Sequence, residues 1–283
     1  MKLITWNIQW GRGIDLKVDL PRIVRTALGI ADFDVLCLQE VAVNFPGLGG
    51  SRGENQCDEL LRALPGYTAQ FGVATDVDDG KGDRSQFGNL ILSRLPVIQV
   101  YRHLLPWPAD PDMPSMQRIA VEAVVQAQWG PLRVMTTHLE YYSTKQRTTQ
   151  VEALRELHYE ACTHAISPRP SGDPGEPFAA LPRPASAILT GDFNFKAEDP
   201  EHRRITASFE AGVPRFLDAW SVAHPSESHT HTVGLHERSW AEQPYCCDFI
   251  FVTDDIASRV RAVTVDVHTQ ASDHQPILIE LAD

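Results

Sequence analysis

The sequence predicts an α/β fold built on mixed β-sheets, and three observations carry that reading. Apolar runs of strand length alternate with amphipathic helical segments along much of the chain. Between residues 67 and 138, strand follows strand, which requires antiparallel pairing in that stretch. Finally, several apolar runs carry a compact polar cluster at one end, the arrangement by which α/β folds bring functional side chains to one rim. The clusters are Thr5-Trp6-Asn7, Leu38-Gln39-Glu40, Thr137-His138-Leu139-Glu140, Gly191-Asp192-Phe193-Asn194 and Ser272-Asp273-His274. Cys247-Asp248, which opens the run Phe249-Ile250-Phe251-Val252, has the same design.

The elements follow in order. Residues 2–8 form a strand ending near Asn7, and Gly11, Arg12 and Gly13 a loop. Asp19 caps a helix with Pro21 in its first turn; Ile23, Val24, Ala27 and Leu28 repeat at helical spacing as far as Gly29. Residues 34–38 are a buried strand that hands over Glu40. A Gly-rich surface loop covers 44–53, and a short helix over 54–64 stops at Pro65-Gly66. Strands are predicted over 67–73, 88–93, 96–104, 118–127 and 132–138, with an acidic loop at 76–84. The longest helix spans 144–166, with Val151, Leu154, Leu157 and Ala161 on one face. The proline-rich stretch 167–184 reads as an exposed loop. It is not a domain boundary, because the clusters on either side look like parts of one site. Residues 187–190 form a buried strand delivering Asp192, followed by a short helix near 199–210 and a His- and Trp-bearing loop at 224–245. Strands at 249–252, 260–268 and 276–281 close the sheets. Residues 1–283 are thus expected to form a single domain, with no repeat at fixed period, and a pseudo-twofold arrangement of two similar sheets stays open.

Composition narrows the function classes. The formal net charge is −12 and the isoelectric point about 5.3. Proteins that grip long duplex nucleic acid normally show a basic excess. A small phosphate ester or a single-stranded nucleic acid end is therefore favoured over an extended duplex. The five cysteines are odd in number and lack zinc-ligand spacing, so they read as reduced thiols of a cytoplasmic protein. The opening Met1-Lys2-Leu3-Ile4-Thr5-Trp6 reads as a strand and not as a secretory leader, and no run has the length of a membrane span. A monomer is expected.

The side chains delivered to the rim are two Asn, a Glu, two His and three Asp. That is a set of oxygen ligands for a hard cation plus two imidazoles for proton or charge handling. The trio His229, His231 and His236 has gaps that fit no helical metal motif, and it reads as a polar rim loop in which His229 and His231 are candidate substrate contacts. Trp107, Trp220 and Trp240 read as core or loop anchors.

Taken together, the ordered clusters resemble the endonuclease/exonuclease/phosphatase superfamily, and the resemblance runs from Asn7 to His274. It implies a four-layer α/β sandwich, with two mixed sheets packed face to face and helices outside. It also implies Mg2+ or Mn2+ and hydrolysis of a phosphodiester or phosphomonoester by attack of water. By the same resemblance Glu40, Asp273 and Asn7 are metal-site residues. Asp192 orients and deprotonates the water, and Asn7, Asn194 and Arg118 contact the substrate phosphate. His274, oriented by Asp248, and His138 handle protons or phosphoryl charge. Gln9 and His138 depart from the exonuclease III-like branch, which carries an acidic residue and a Tyr there. The segment from Thr137 to Gln150 is similar to the tyrosyl-DNA phosphodiesterase 2-like branch, and a sphingomyelinase-like relationship is also open. A nuclease of the same superfamily and a non-catalytic phosphate-binding scaffold are the alternatives. A basic strip of Arg84, Arg94, Arg118, Lys145 and Arg147 beside the site would favour the nuclease.

Overall fold

The computed structural model describes residues 1–167, 170–210, 212–239 and 241–283, so Trp240 lies outside the described residues. In chain order the elements are β1 (Lys2–Asn7), α1 (Leu20–Ile30), β2 (Val35–Val43), α2 (Gln56–Ala63), β3 (Thr68–Asp78), β4 (Arg84–Ser93), β5 (Val97–Leu104), β6 (Ile119–Ala127) and β7 (Gly130–His138). Then come α3 (Thr144–Ile166), β8 (Ala187–Asp192), α4 (Pro200–Ile205), β9 (Phe216–Asp218), α5 (Ala219–Ala223), β10 (Asp248–Thr253), β11 (Val260–Val265) and β12 (Ile277–Leu281).

The strands form two six-stranded sheets, ordered β11-β12-β1-β2-β4-β3 and β5-β6-β7-β8-β10-β9. Each sheet has one parallel pair at its centre, β1–β2 and β7–β8, with antiparallel neighbours on both sides. The helices α1 and α3 make the crossovers that parallel pairing demands. The two halves are thus built to one plan.

Strand periodicity explains the layering. Leu3, Val35, Cys37 and Ile91 point inward and meet Val121, Ala123, Val134, Ile188 and Ile250 of the other sheet. Their alternate neighbours Ile4, Leu36 and Leu38 point outward, beneath Ile23, Val24 and Ala27 of α1 and Leu60 of α2. On the far side Ala120, Met135, Leu189 and Phe249 are covered by Val151 and Leu154 of α3 and Ile205 of α4. The result is the expected four-layer α/β sandwich. The long helices start where predicted: Asp19 accepts from Arg22 N at 2.8 Å, and Ser143 Oγ accepts from Gln146 N at 3.1 Å. All five cysteines are free thiols, and no described helix is long and apolar enough to cross a membrane.

The structure corrects three boundaries and adds two elements. The loop expected over 76–84 is shortened to 79–83, because β3 and β4 continue as a ladder to Asp78 and Arg84, held by Arg84 Nε on Asp76 Oδ1 at 2.7 Å. The helix expected over 199–210 ends at Ile205. The last strand before β12 ends at Val265 and not at 268. The short elements β9 and α5 were not anticipated; Phe216–Asp218 is too brief to show a period, and it pairs only with β10.

A buried ion network anchors the proline-rich stretch. Fully buried Glu122 on β6 accepts from Arg183 Nε at 3.1 Å and lies 3.3 Å from His103 Nε2, with Arg133 Nη1 at 3.8 Å. Burial would raise its carboxyl pKa, but the hydrogen bonds from His103 and Arg183 hold it down at about 2. Such a depressed pKa gives stability that is full above the unfolded value near 4.5 and is lost as pH falls through about 2. Glu122→Gln leaves buried guanidinium charge uncompensated and should cost about 3–5 kcal/mol in urea unfolding at pH 7. The difference between variant and wild type should shrink as unfolding is repeated at pH values descending from 4.5 towards 2.

Candidate active site

Strand register brings the polar clusters together at one rim. Within the sheets Asn7 lies opposite Gln39, His138 opposite Asp192, and Asp192 opposite Asp248. Two bonds then cross between the sheets. Asn7 Nδ2 donates to Glu40 Oε1 of its own sheet and to Asp192 Oδ2 of the other, both at 3.0 Å. His274, just before β12, places Nδ1 at 2.9 Å from Asp248 Oδ2 at the start of β10.

Local backbone departures aim two of these side chains. The β2–β4 ladder shifts register between Leu38 and Val41, and Glu40 takes a φ of 60° in the bulge. A left-handed Glu is strained, and the bulge turns its carboxylate toward the rim. Asn194 also has a positive φ, 53°, so the segment after Asp192 is not extended. Its side chain reaches the rim differently: Nδ2 donates to Leu139 O at 2.9 Å and its backbone N donates to Asp192 Oδ1 at 3.0 Å. Gly191, at φ 144°, allows this approach; a Cβ there would lie 1.9 Å from Thr137 O.

Asp192 Oδ2 is the meeting point. His138 Nε2 lies 3.4 Å from it and His274 Nε2 3.6 Å, beside the Asn7 amide. His138 Nδ1 faces Glu40 Oε1 at 3.9 Å. Asp273 Oδ2 accepts from Gln9 Nε2 at 2.7 Å, and Ser272 Oγ ties this turn to Asn7 O at 2.8 Å. Arg118 is buried, with Nε on Glu140 Oε2 at 3.2 Å, while its Nη1 is buried with no hydrogen-bond partner among the described residues. All nine sequence-predicted residues therefore lie at this rim or directly beside it. Asn7 differs in orientation from a metal ligand: its amide nitrogen faces the carboxylates, and its Oδ1 accepts from Gln9 N at 3.0 Å.

The electrostatics divide the roles. Burial, reinforced by the negative charge of Asp273, pushes Glu40 up to about 7. Burial, with Asp248 adding to it and His274 opposing it, raises Asp192 to about 6. Burial, together with Arg118 and His274, holds His138 well below the usual imidazole range, so it is neutral at pH 7. Burial disfavours charge on His274 too, but Asp248 and Asp192 outweigh it and hold the imidazolium well above the ordinary value. Two carboxylates of raised pKa, Glu40 and Asp192, are crowded together here, and their hard oxygens suit Mg2+ or Mn2+. Cys247 sits against Asp192 and His274, but burial keeps it a thiol and so a poor ligand.

Sequence reasoning underweighted three residues. Glu140 lies two positions after His138 and is the buried partner of Arg118; Gln9 holds Asp273; Gln150 Oε1 accepts from Glu140 N at 2.9 Å. The i, i+2 spacing of His138 and Glu140 was the available signal. Arg147 donates to Glu140 O and Tyr141 O and so fixes the loop after β7, and Asn89 donates to Ile119 O within the core. A cleft of about 500 Å³ lined by Lys196, Ser228, His229, His231 and Tyr245 opens beside the Asp248 end of the rim. His236 bonds instead to Val267 O, away from its two sequence neighbours.

Solved structures of other proteins share this fold. An endonuclease/exonuclease/phosphatase from Bacteroides vulgatus is similar, with a TM-score of 0.69 and 20% identity over 99% of this chain and 98% of that one. So are a mannosyl-6-phosphatase of Bacteroides thetaiotaomicron (TM-score 0.67, 18% identity, 100% of each chain) and a 3′ phosphatase from Neisseria bound to a product DNA hairpin (TM-score 0.63, 20% identity, 100% of each chain). No curated protein matches the sequence. The Endonuclease/Exonuclease/phosphatase family matches residues 4–274, and the chain belongs to that family of phosphate-ester hydrolases.

Proposed function

We propose that this chain is a Mg2+- or Mn2+-dependent phosphoesterase that hydrolyses a phosphodiester or phosphomonoester by in-line attack of water. The observation that supports it most is the convergence of Asn7, His138 and His274 on Asp192 Oδ2 beside the raised carboxylate of Glu40. Glu40 and Asp273 would hold the cation, with Asn7 positioning Glu40. When bound, the cation neutralises these carboxylates and polarises the phosphoryl oxygens.

The protein groups do the rest. Asp192 is ionised at neutral pH and takes a proton from the attacking water. His274 is cationic and stabilises charge on the phosphoryl oxygens, while Asp248 fixes its ring. Neutral His138 donates a hydrogen bond there. Arg118 Nη1, buried with its donors pre-aimed by Glu140, is suited to a phosphate oxygen, as is the Asn194 side chain.

The residues that would have formed a basic strip favour a small ester or a single-stranded end over a duplex. Arg84 pairs with Asp76, Arg94 with Asp32 and Asp34, Arg118 with Glu140, and Arg147 lies 3.6 Å from Glu201. Lys145 Nζ is turned onto Ala109 O at 2.9 Å.

Asp192→Ala should lower kcat on bis-p-nitrophenyl phosphate by about 10²–10⁴-fold in Mg2+ or Mn2+, while leaving the circular dichroism spectrum unchanged. Turnover that survives this change would exclude Asp192 as the base. A wild-type protein with no metal-dependent turnover on mono- or diesters, single-stranded ends, sugar phosphates or lipid esters would instead favour the scaffold reading. Arg118→Lys keeps a charge against Glu140 but loses the planar fork. It should reduce kcat/KM by about 10–150-fold, equivalent to one charge-assisted hydrogen bond of about 1.5–3 kcal/mol.

A further inference from the structure

A second cluster of metal-ligating atoms stands outside the rim. Asp218, at the end of β9, is buried, and two imidazoles from separate segments meet one of its oxygens. His202 Nε2 of α4 lies 2.8 Å from Asp218 Oδ2, and His229 Nε2 of the 224–232 loop lies 2.6 Å from it. The three ligand atoms all lie within 4.8 Å of one another. The other carboxylate oxygen, Oδ1, accepts from Trp220 N at 2.9 Å, which fixes the plane of the carboxylate.

The surroundings are those of an enclosed site. Phe249 lies 5.2 Å from the His202 ring and 5.4 Å from the His229 ring, and Trp220 stacks on His229 at 6.0 Å. Asp218, His229 and Cys246 line a small cavity of about 10 Å³, about the volume of one water-sized sphere.

We propose that His202, Asp218 and His229 form a site for a divalent transition-metal ion, Zn2+ by preference, separate from the catalytic rim. Two imidazoles and one carboxylate are the donor set of a borderline-soft ion and not of Mg2+. Tetrahedral Zn2+ with bonds of ~2.0–2.1 Å spaces its ligand atoms ~3.3 Å apart. The present N···O separations of 2.6 and 2.8 Å would need to open only slightly, with the metal replacing the two N–H···O contacts. The ion would clamp α4, β9 and the 224–232 loop together. That loop carries Thr232, whose Oγ1 accepts from the backbone N of Cys247 and Asp248 at 3.2 and 3.4 Å. The clamp thus steadies the strand start that orients His274.

The test is equilibrium dialysis of the metal-stripped full chain against Zn2+ with excess Mg2+ present, followed by Co2+ absorption spectroscopy. One equivalent of Zn2+ and a four-coordinate Co2+ spectrum are expected for wild type and for Glu40→Gln. Both should be lost in the His202→Gln/His229→Gln double variant. Should the double variant not fold, His229→Gln alone, which keeps a donor to Asp218, should bind Zn2+ at least about a hundredfold more weakly. Wild type that takes up no Zn2+, or a folded histidine variant that retains the wild-type stoichiometry and spectrum, would overturn the assignment. So would loss of binding in Glu40→Gln, which would place the ion at the rim.

Discussion

The structure depends on one contact: the Asn7 amide that bridges Glu40 and Asp192 across the seam between the two sheets. Each carboxylate is on a different sheet, and each is pushed above its ordinary pKa by burial. Without a bridging donor, the half-buried Glu40 and the buried Asp192 would repel each other and lose solvation together. The amide offers one N–H to each, and the His274–Asp248 contact adds a second tie across the same seam. The rim is therefore assembled at a cost to stability, which the Asn7 amide and the His274 imidazolium offset in part, and the apolar layer between the sheets supports it.

Much of this was legible in the sequence. The apolar runs ending in Asn7, His138 and Asp192 identified the strands and the polar side chains gathered at their ends, because a buried strand leaves few places for a polar side chain. What escaped were features set by tertiary contact. The bulge that turns Glu40 inward follows from the register between β2 and β4, which no local window contains. The extension of β3 and β4 through an acidic stretch depends on Arg84 meeting Asp76 across the ladder. Exposed charged residues there carry no apolar alternation to read. The left-handed backbone at Asn194, which brings its side chain to Leu139 O, is likewise set by tertiary contact.

The histidines show the same limit more sharply. His229, His231 and His236 are neighbours in sequence but meet different partners: His229 turns to Asp218, His231 lines the cleft beside it and His236 bonds the backbone near β11. The partner of His229 is His202, more than twenty residues earlier on another element, and Asp218 lies on a strand too short to predict. Spacing arguments find metal sites within one helix or hairpin; they do not find sites assembled by packing.

The central claim is that the rim is an electrostatically strained cation site, and thermal unfolding of Glu40→Gln tests it directly. In the absence of metal the variant should unfold at a higher temperature than wild type, by about 2 °C or more, because a buried charge beside Asp273 and Asp192 has been removed. Mg2+ should then raise the wild-type midpoint and leave that of the variant unchanged. A variant less stable than wild type without metal, together with equal Mg2+ shifts in both proteins, would contradict the account.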